Sequence, residues 1–152
     1  MRKNLSKINS DFSIQSFEGG YDKNFSYLLT CLQTMNSVII DASIKPNGLE
    51  PFQKSNPIAI LITHSHNDHI RYIDSYRECY PNIKLIGHPK SSLNKEGNNF
   101  FSINDNSIIN LGNLEITIIH TPGHYFDSVC FLVGDAIFTG DTIFIGRTGR
   151  TI

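Results

Sequence analysis

The sequence contains little cysteine, no tryptophan and no long apolar run. Its three cysteines, Cys31, Cys79 and Cys130, lie far apart and form no Cys-x-x-Cys pair, so neither a disulfide framework nor a thiolate zinc knuckle is indicated. We expect them to be small buried side chains. No stretch approaches the roughly 20 apolar residues of a membrane span, and the first residues lack the apolar core of a secretion signal. We therefore expect a cytoplasmic protein that binds no membrane.

An excess of charge of either sign is also missing. Thirteen Lys and Arg residues stand against fourteen Asp and Glu residues, which leaves a formal net charge of −1. No global field attracts nucleic acid, so a module that binds polyanions is not expected. The 152 residues, 39% of them hydrophobic, suffice for one core and are too few for two. We expect a single domain over residues 1–152.

Short β-branched and aromatic runs between turn signals dominate the chain and predict strands. These runs cover residues 12–17, 25–30, 38–41, 58–63, 83–86, 114–120, 128–133 and 136–139. Residues 58–62 are apolar throughout, as in a strand buried on both faces. Residues 67–80 carry apolar side chains at spacing three and predict a helix that Pro81 ends. A shorter helix is predicted over residues 89–93, with Pro89 in its first turn. The expected class is α/β.

The densest group of chemically active side chains directly follows the buried run 58–63. His64, His66, Asp68 and His69 lie within six positions. In an extended loop, residues two apart point to the same side, so His64 and His66 can converge on one cation while Asp68 and His69 face a neighbouring position. A solvated turn needs no such concentration of ligands, and sheets of this class place their sites at the carboxyl ends of strands. The spacing favours two adjacent metal ions.

Two later segments supply further ligand-type side chains. His124 lies in Thr-Pro-Gly-His after the run 114–120, and Asp141 lies in Thr-Gly-Asp-Thr after the run 136–139. Alone, His124 fits a turn histidine and Asp141 an Asx-turn residue. Together with the first cluster, both are better interpreted as metal ligands.

The three motifs, in this order, resemble those of the metallo-β-lactamase superfamily. Residues 22–29, with Asn24 and Tyr27, resemble an early strand of that family, and residues 38–41 resemble the next strand with its terminal Asp41. Residues 140–151 look most like the branch of glyoxalase II (hydroxyacylglutathione hydrolase) and the persulfide dioxygenases. The resemblance covers residues 12–151. It implies an αββα sandwich with metals at one edge.

The resemblance also implies a role for each ligand. A first zinc would be held by His64, His66 and His124, a second by Asp68 and His69, and Asp141 would bridge the two. Neutral imidazoles and carboxylates suit Zn²⁺ or Fe²⁺, so one or two zinc ions, or alternatively iron, are expected. A metal lowers the pKa of its bound water toward about 7 and so supplies a hydroxide nucleophile. Asp68 would act catalytically by orienting that nucleophile.

The implied function is thioester hydrolysis of the hydroxyacylglutathione hydrolase type, with a glutathione thioester as substrate. A second hypothesis is a mononuclear iron persulfide dioxygenase, in which His64, His124 and Asp141 form the facial triad. A third is an inactive remnant or an interaction subunit that keeps the ligands.

The sequence departs from the family pattern in two places. Residues 125–128 read Tyr-Phe-Asp-Ser where this branch has Thr-Pro-Gly-Ser, which places a bulky aromatic edge at the mouth of the site. The chain also ends at Ile152, whereas family members continue to a last histidine of the second metal site. We therefore expect the C-terminal part of the fold to be missing, through an interrupted gene, a fragment, or a short form completed as a homodimer.

The remaining conspicuous side chains have less specific interpretations. His88 has no partner at ligand spacing and is predicted to be a turn or surface histidine. His120 is expected to support the site rather than bind metal. Arg147 and Arg150 fit either an anionic substrate group or a cap of the final loop.

Overall fold

A seven-stranded mixed sheet is built from the first two thirds of the chain, Ser6 to Ser102. The computed structural model describes residues 6–20, 23–47, 50–95, 97 and 99–151. The strands follow one another across the sheet in chain order. They are β1 (Ser6–Ile8), β2 (Phe12–Gly19), β3 (Asn24–Cys31), β4 (Ser37–Ile40), β5 (Pro57–Leu61), β6 (Lys84–Gly87) and β7 (Phe100–Ser102). Strands β1 to β4 are antiparallel, and β4 to β7 are parallel. The carboxyl ends of β4, β5 and β6 therefore share one edge, where open α/β sheets place their sites.

A second, antiparallel sheet packs against the first. Its strands are β8 (Ile108–Leu111), β9 (Leu114–His120), β10 (Val129–Val133) and β11 (Ala136–Phe138), in the spatial order β11-β10-β9-β8. Alternate residues of β9, such as Ile116 and Ile118, are fully buried between the sheets together with Leu29 and Leu61. A small hairpin of β12 (Ile143–Phe144) and β13 (Arg147–Thr148) follows.

Three helices cover the other face of the first sheet. They are α1 (Glu50–Lys54), α2 (Asn67–Ile70) and α3 (Ile73–Cys79). Phe52 of α1 and Tyr76 of α3 are fully buried against Ile39 and Ile60 of the sheet. Among the described residues, no helix packs on the outer face of the second sheet, where Ile137 is exposed. The described layers are thus α, β and β.

All eight predicted strands are present, although their bounds shift by one or two residues. The predicted helix over residues 67–80 is broken into α2 and α3, because the Tyr72 N–H donates to the Ala42 carbonyl at the end of β4. The helix predicted over residues 89–93 is wrong. That segment forms successive turns, in which Ser91 N–H donates to the His88 carbonyl and the Asn94 side chain donates to the Pro89 carbonyl.

The three cysteines differ in burial. Cys31 and Cys130 are buried as expected, but Cys79 is exposed on α3, so the prediction was wrong for that residue. In the part of the chain that the structure describes, the helices are too short or too polar to cross a membrane.

Candidate metal centre

The histidine-rich loop begins where β5 ends and is held there by both sheets. The Thr63 N–H donates to Oδ1 of Asp41, the residue after β4, at 2.8 Å. The Thr63 carbonyl accepts a hydrogen bond from the N–H of Val129, the first residue of β10, also at 2.8 Å. The loop is thus tied to its neighbouring strand and to the second sheet. These bonds bring the segment around His124 to the same edge as His64.

Three imidazoles converge at this edge with their nitrogens close together. His64 Nε2 lies 3.0 Å from His66 Nδ1, and His124 Nε2 lies 2.9 Å from the same His66 atom. The outer nitrogen of His124, Nδ1, lies 2.9 Å from the Arg150 carbonyl. Because that carbonyl only accepts, His124 Nδ1 carries the proton and Nε2 presents a lone pair to the centre. Three nitrogens that face one another at this spacing have the arrangement expected of a cation site.

A buried hydrogen-bond network fixes the tautomers of two histidines. Asp41, almost fully buried, accepts at Oδ2 from the Thr63 hydroxyl at 2.7 Å and lies 2.8 Å from His69 Nδ1. Because a carboxylate only accepts, His69 donates through Nδ1 and keeps Nε2 for the centre. The Thr63 oxygen in turn accepts from His64 Nδ1 at 3.2 Å. Asp41 therefore orients His69 directly and His64 through Thr63.

Asp141 lies between the two groups of histidines. Its Oδ1 is 3.1 Å from His69 Nε2, and its Oδ2 is 3.5 Å from His124 Nε2. Gly140, with φ of +49°, permits this approach, because a Cβ at that position would lie 2.5 Å from Thr63 Oγ1. The carboxylate is therefore placed to contact two neighbouring cations.

Asp68 lies at the margin of the centre, in the first turn of α2. Its Oδ2 is 3.8 Å from His69 Nε2 and accepts a hydrogen bond of 2.5 Å from the side-chain amide of Asn24. About a third of the Asp68 side chain is exposed, so this carboxylate faces solvent as well as the centre.

The donor set fits a bound metal. Four ligands about 2.0–2.1 Å from a tetrahedral zinc lie about 3.3 Å from one another, close to the spacing of the facing nitrogens here. His69 Nε2 is fully buried, and its contact with the Asp141 carboxylate, at 3.1 Å, lacks the geometry of a good hydrogen bond. A cation would satisfy it. Two groups have ligand atoms within 4.8 Å of one another: His64, His66 and His124; and His64, His69 and Asp141.

The ionisation of the cluster follows its burial and charges. Burial, followed by the charge of His69, lowers the pKa of His64 to about 2. Burial and the neighbouring His124 also lower the pKa of His66. Both rings are therefore neutral at pH 7, as metal ligands must be. Burial alone would lower the pKa of His69, but Asp41 and Asp141 outweigh it and raise it to about 10. Without metal, both ring nitrogens of His69 therefore carry a proton at pH 7, and a bound metal would displace the proton on Nε2. Hydrogen bonding and charge from His69 outweigh burial and lower the pKa of Asp141.

The structure brings the six sequence-predicted ligands to one edge, with five in the two groups and Asp68 beside them. Their function as ligands stays a prediction. The orienting functions of Asp41, Thr63 and Asn24 were missed by sequence reasoning. The only signal was the position of Asp41 and Asn24 in the two weaker family-like segments.

His88 and His120 form a separate pair. His88 was predicted to be a turn or surface histidine; it lies at the start of a turn, where the Ser91 N–H donates to its carbonyl, and its side chain is buried. Its ring stacks on that of His120 with centroids 4.0 Å apart and planes 11° apart. His120 Nε2 also lies 3.2 Å from the Phe126 carbonyl. Arg147 lies over the Phe144 ring, 5.3 Å from its centroid.

The fold and the clustered ligands define a class, and comparisons with known proteins identify it. Residues 19–152 match the family model described as the metallo-beta-lactamase superfamily, and the chain belongs to that family. It is 36% identical over 132 residues to the hydroxyacylglutathione hydrolase of Francisella tularensis subsp. novicida, covering 84% of this chain and 50% of that protein. The predicted αββα fold class is confirmed by these matches and by solved structures.

Two solved structures illustrate the likeness. ETHE1 from Myxococcus xanthus superimposes with a TM-score of 0.75 at 25% identity, over 90% of this chain and 60% of that one. TTHA1623, solved in a di-iron-bound form, gives a TM-score of 0.74 at 25% identity, over 89% of this chain and 75% of that one. The chain spans about half the length of the curated relatives it matches.

Proposed function

We propose that this protein holds divalent metal at the described centre and hydrolyses a thioester of the hydroxyacylglutathione class. The observation that carries the proposal is the convergence of His64, His66 and His124, with nitrogens 2.9–3.0 Å apart, beside a second group that contains Asp141. The similarity to a hydroxyacylglutathione hydrolase supports the substrate class.

The residues divide between two neighbouring positions. One ion would be held by His64, His66 and His124, the second by Asp68 and His69, and Asp141 would contact both. A bound Zn²⁺ or Fe²⁺ supplies a water of lowered pKa and polarises the substrate carbonyl.

The protein side chains provide orientation and proton placement. Asp41 holds the proton on Nδ1 of His69, so Nε2 is the nitrogen that would lose its proton and bind a metal. Asn24 donates to Asp68 Oδ2 and so holds that carboxylate at the margin of the centre. Since the Asp68 side chain is partly exposed, its carboxylate is accessible to solvent, as a general base requires.

Elemental analysis combined with a thioester assay tests the proposal. We expect wild-type protein loaded with zinc or iron to retain stoichiometric metal and to hydrolyse S-lactoylglutathione. His64→Ala should lose metal and reduce activity at least about 100-fold, because it removes a ligand shared by both groups. His88→Ala removes a histidine that belongs to neither ligand group; it is the matched control and should retain metal. Metal-free wild type, or a His64→Ala variant with unchanged metal, would contradict the site.

A second candidate function is an iron-dependent persulfide dioxygenase. It is supported by His64, which shares one ligand group with His124 and the other with Asp141, by the 3.5 Å distance from His124 Nε2 to Asp141 Oδ2, and by the likeness to ETHE1. About one iron per chain, with oxygen consumed on glutathione persulfide and no thioester cleavage, would favour this function.

A further inference from the structure

Two aromatic side chains lie directly beside the candidate metal ligands. The Tyr125 ring packs on His66 with centroids 4.1 Å apart, and it lies 6.3 Å from the His64 ring. Phe126 packs on Tyr125 with centroids 4.3 Å apart, and 48% of Phe126 is exposed. The two rings therefore form a continuous aromatic surface from a ligand to solvent. We call Tyr125 and Phe126 the aromatic wall.

The backbone holds this wall in a fixed position. The Tyr125 N–H donates to the Ser128 hydroxyl, and the Tyr125 carbonyl accepts from the Ser128 N–H, each at 3.2 Å. Asp127, the residue after Phe126, is fully buried, and its Oδ1 accepts a hydrogen bond from the Ser65 N–H in the histidine loop. The Phe126 carbonyl lies 3.2 Å from His120 Nε2. Because the turn is anchored on both sheets, the rings are preorganised beside the centre.

Their contacts indicate a function for the exposed parts of the rings. Packing on His66 limits one face of Tyr125, but the ring is only half-buried and Phe126 is largely open. A group bound at the His64–His66 side of the centre would lie beside the Tyr125 ring, which is 4.1 Å from His66 and 6.3 Å from His64. Apolar side chains of Ile143 and Phe144 are exposed just after Asp141, so the other segment leading from the centre is apolar as well.

We propose that the aromatic wall selects substrates that carry an aromatic substituent next to the carbonyl bound at the metal centre. The inference rests on the proposed thioester hydrolysis and specifies the acyl group. Offset or edge-to-face contact with a substrate ring rewards an aromatic acyl group over a methyl group of the same geometry. The expected gain is about three- to tenfold for each ring that the substrate contacts.

The first experiment compares two thioesters on the metal-loaded full chain. We expect wild type to show a higher kcat/KM for S-mandeloylglutathione than for S-lactoylglutathione, since the two differ by phenyl against methyl. The double variant Tyr125→Thr/Phe126→Thr should lower this ratio about tenfold. Tyr125→Phe keeps the ring and should keep the ratio. Phe101→Thr is the matched control, because Phe101 is 47% exposed, about as much as Phe126, and lies on β7, which β6 separates from the strand that leads into the histidine loop.

The second experiment measures binding and does not require hydrolysis. Benzohydroxamate and acetohydroxamate are metal-binding probes that differ by the same phenyl-for-methyl exchange, and calorimetry on the zinc-loaded protein gives their Kd ratio. We expect a preference for benzohydroxamate of at least fivefold in wild type, retained in Phe101→Thr and lost in the double variant. Zinc content of each variant, measured in parallel, shows that the centre is intact.

The outcomes separate this inference from the proposed function. A hydroxamate preference that depends on Tyr125 and Phe126, together with no cleavage of either thioester, would refute thioester hydrolysis and leave the aromatic wall supported. Equal binding of both probes, or a preference that survives in the zinc-loaded double variant, would overturn the inference whatever the thioesters do. Failure of wild type to bind zinc would overturn both.

Discussion

At the scale of single residues, the donor groups around the histidines decide whether the centre is ready for metal. An imidazole binds metal through the nitrogen that does not carry the proton. Asp41, Thr63 and the Arg150 carbonyl each fix the outer nitrogen of a histidine and leave the inner one free. Such partners are typically worth 10–100-fold in metal affinity.

Asp41→Asn tests whether Asp41 determines which nitrogen of His69 can bind metal. An asparagine can keep the bond from the Thr63 N–H, but its NH₂ group would face His69 Nδ1 and force that atom to accept. The proton would then sit on Nε2, so we expect affinity at the His69 position to fall about 10–100-fold while the three-histidine position still binds. Calorimetric titration with Zn²⁺ resolves the two steps.

The matched control for this change is Asp74→Asn. Asp74 is 92% exposed and contacts only the neighbouring Arg77 side chain in the described ion pairs. The Asp74→Asn variant should bind zinc as the wild type does. Two unchanged binding steps in Asp41→Asn would contradict the tautomer argument.

At the scale of secondary-structure elements, short connections bring strand ends into the centre. The turn after β11 returns Asp141 toward β5, and close approach of its backbone to Thr63 requires Gly140. The break between α2 and α3 has the same origin. The His69 carbonyl accepts from the Ala42 N–H, which ties α2 to the end of β4 rather than letting the helix continue.

Gly140→Ala should displace Asp141. The new methyl would clash with the Thr63 side chain and would also require a left-handed backbone, so we expect a loss of about 1–3 kcal/mol in the free energy of unfolding and weaker zinc binding. Denaturant unfolding and zinc titration measure the two effects.

Gly146→Ala separates the effect of backbone strain from that of a clash with a neighbouring side chain. Gly146 also has positive φ, of +79°, but a Cβ there has no described atom within 4 Å. This variant should lose some stability and keep its zinc affinity. Equal loss of zinc affinity in the two variants would refute the role assigned to the Gly140 contact.

At the scale of the whole molecule, the site exists only where the two sheets meet. The His88–His120 stack joins the loop after β6 in the first sheet to the end of β9 in the second. His120, Lys90, Asp127 and Asp105 influence the charge on His88. Burial, and then the neighbouring His120, lower the pKa of His88 below 6.5, so the ring resists protonation in the folded state.

This lowered pKa predicts a pH dependence of stability. Below pH 6.5 the unfolded chain binds a proton that folded His88 does not, so stability present above pH 6.5 is lost as the pH falls. In metal-free protein, His88→Phe keeps an aromatic stack and removes this proton. We expect its free energy of unfolding to fall less steeply between pH 6.5 and 5, by up to about 1.4 kcal/mol per pH unit.

Chemical unfolding at several pH values measures that slope. The buried His64 and His66 remain in both proteins, so their contributions cancel in the difference. Identical slopes for wild type and His88→Phe would show that His88 titrates alike in the folded and unfolded chains.

The sequence alone determined the strand pattern and the identity and order of the candidate ligands. These follow from local rules, because side-chain alternation, turn residues and the spacing of His64, His66 and Asp68 are properties of neighbouring positions. It did not predict α1 or the strands β1, β7, β8, β12 and β13, all of which are short. The tertiary structure decided which nitrogen of each histidine faces inward, why Asp41 matters, and why His88 is buried. Those properties depend on contacts between residues far apart in the chain, and local patterns carry no record of such contacts.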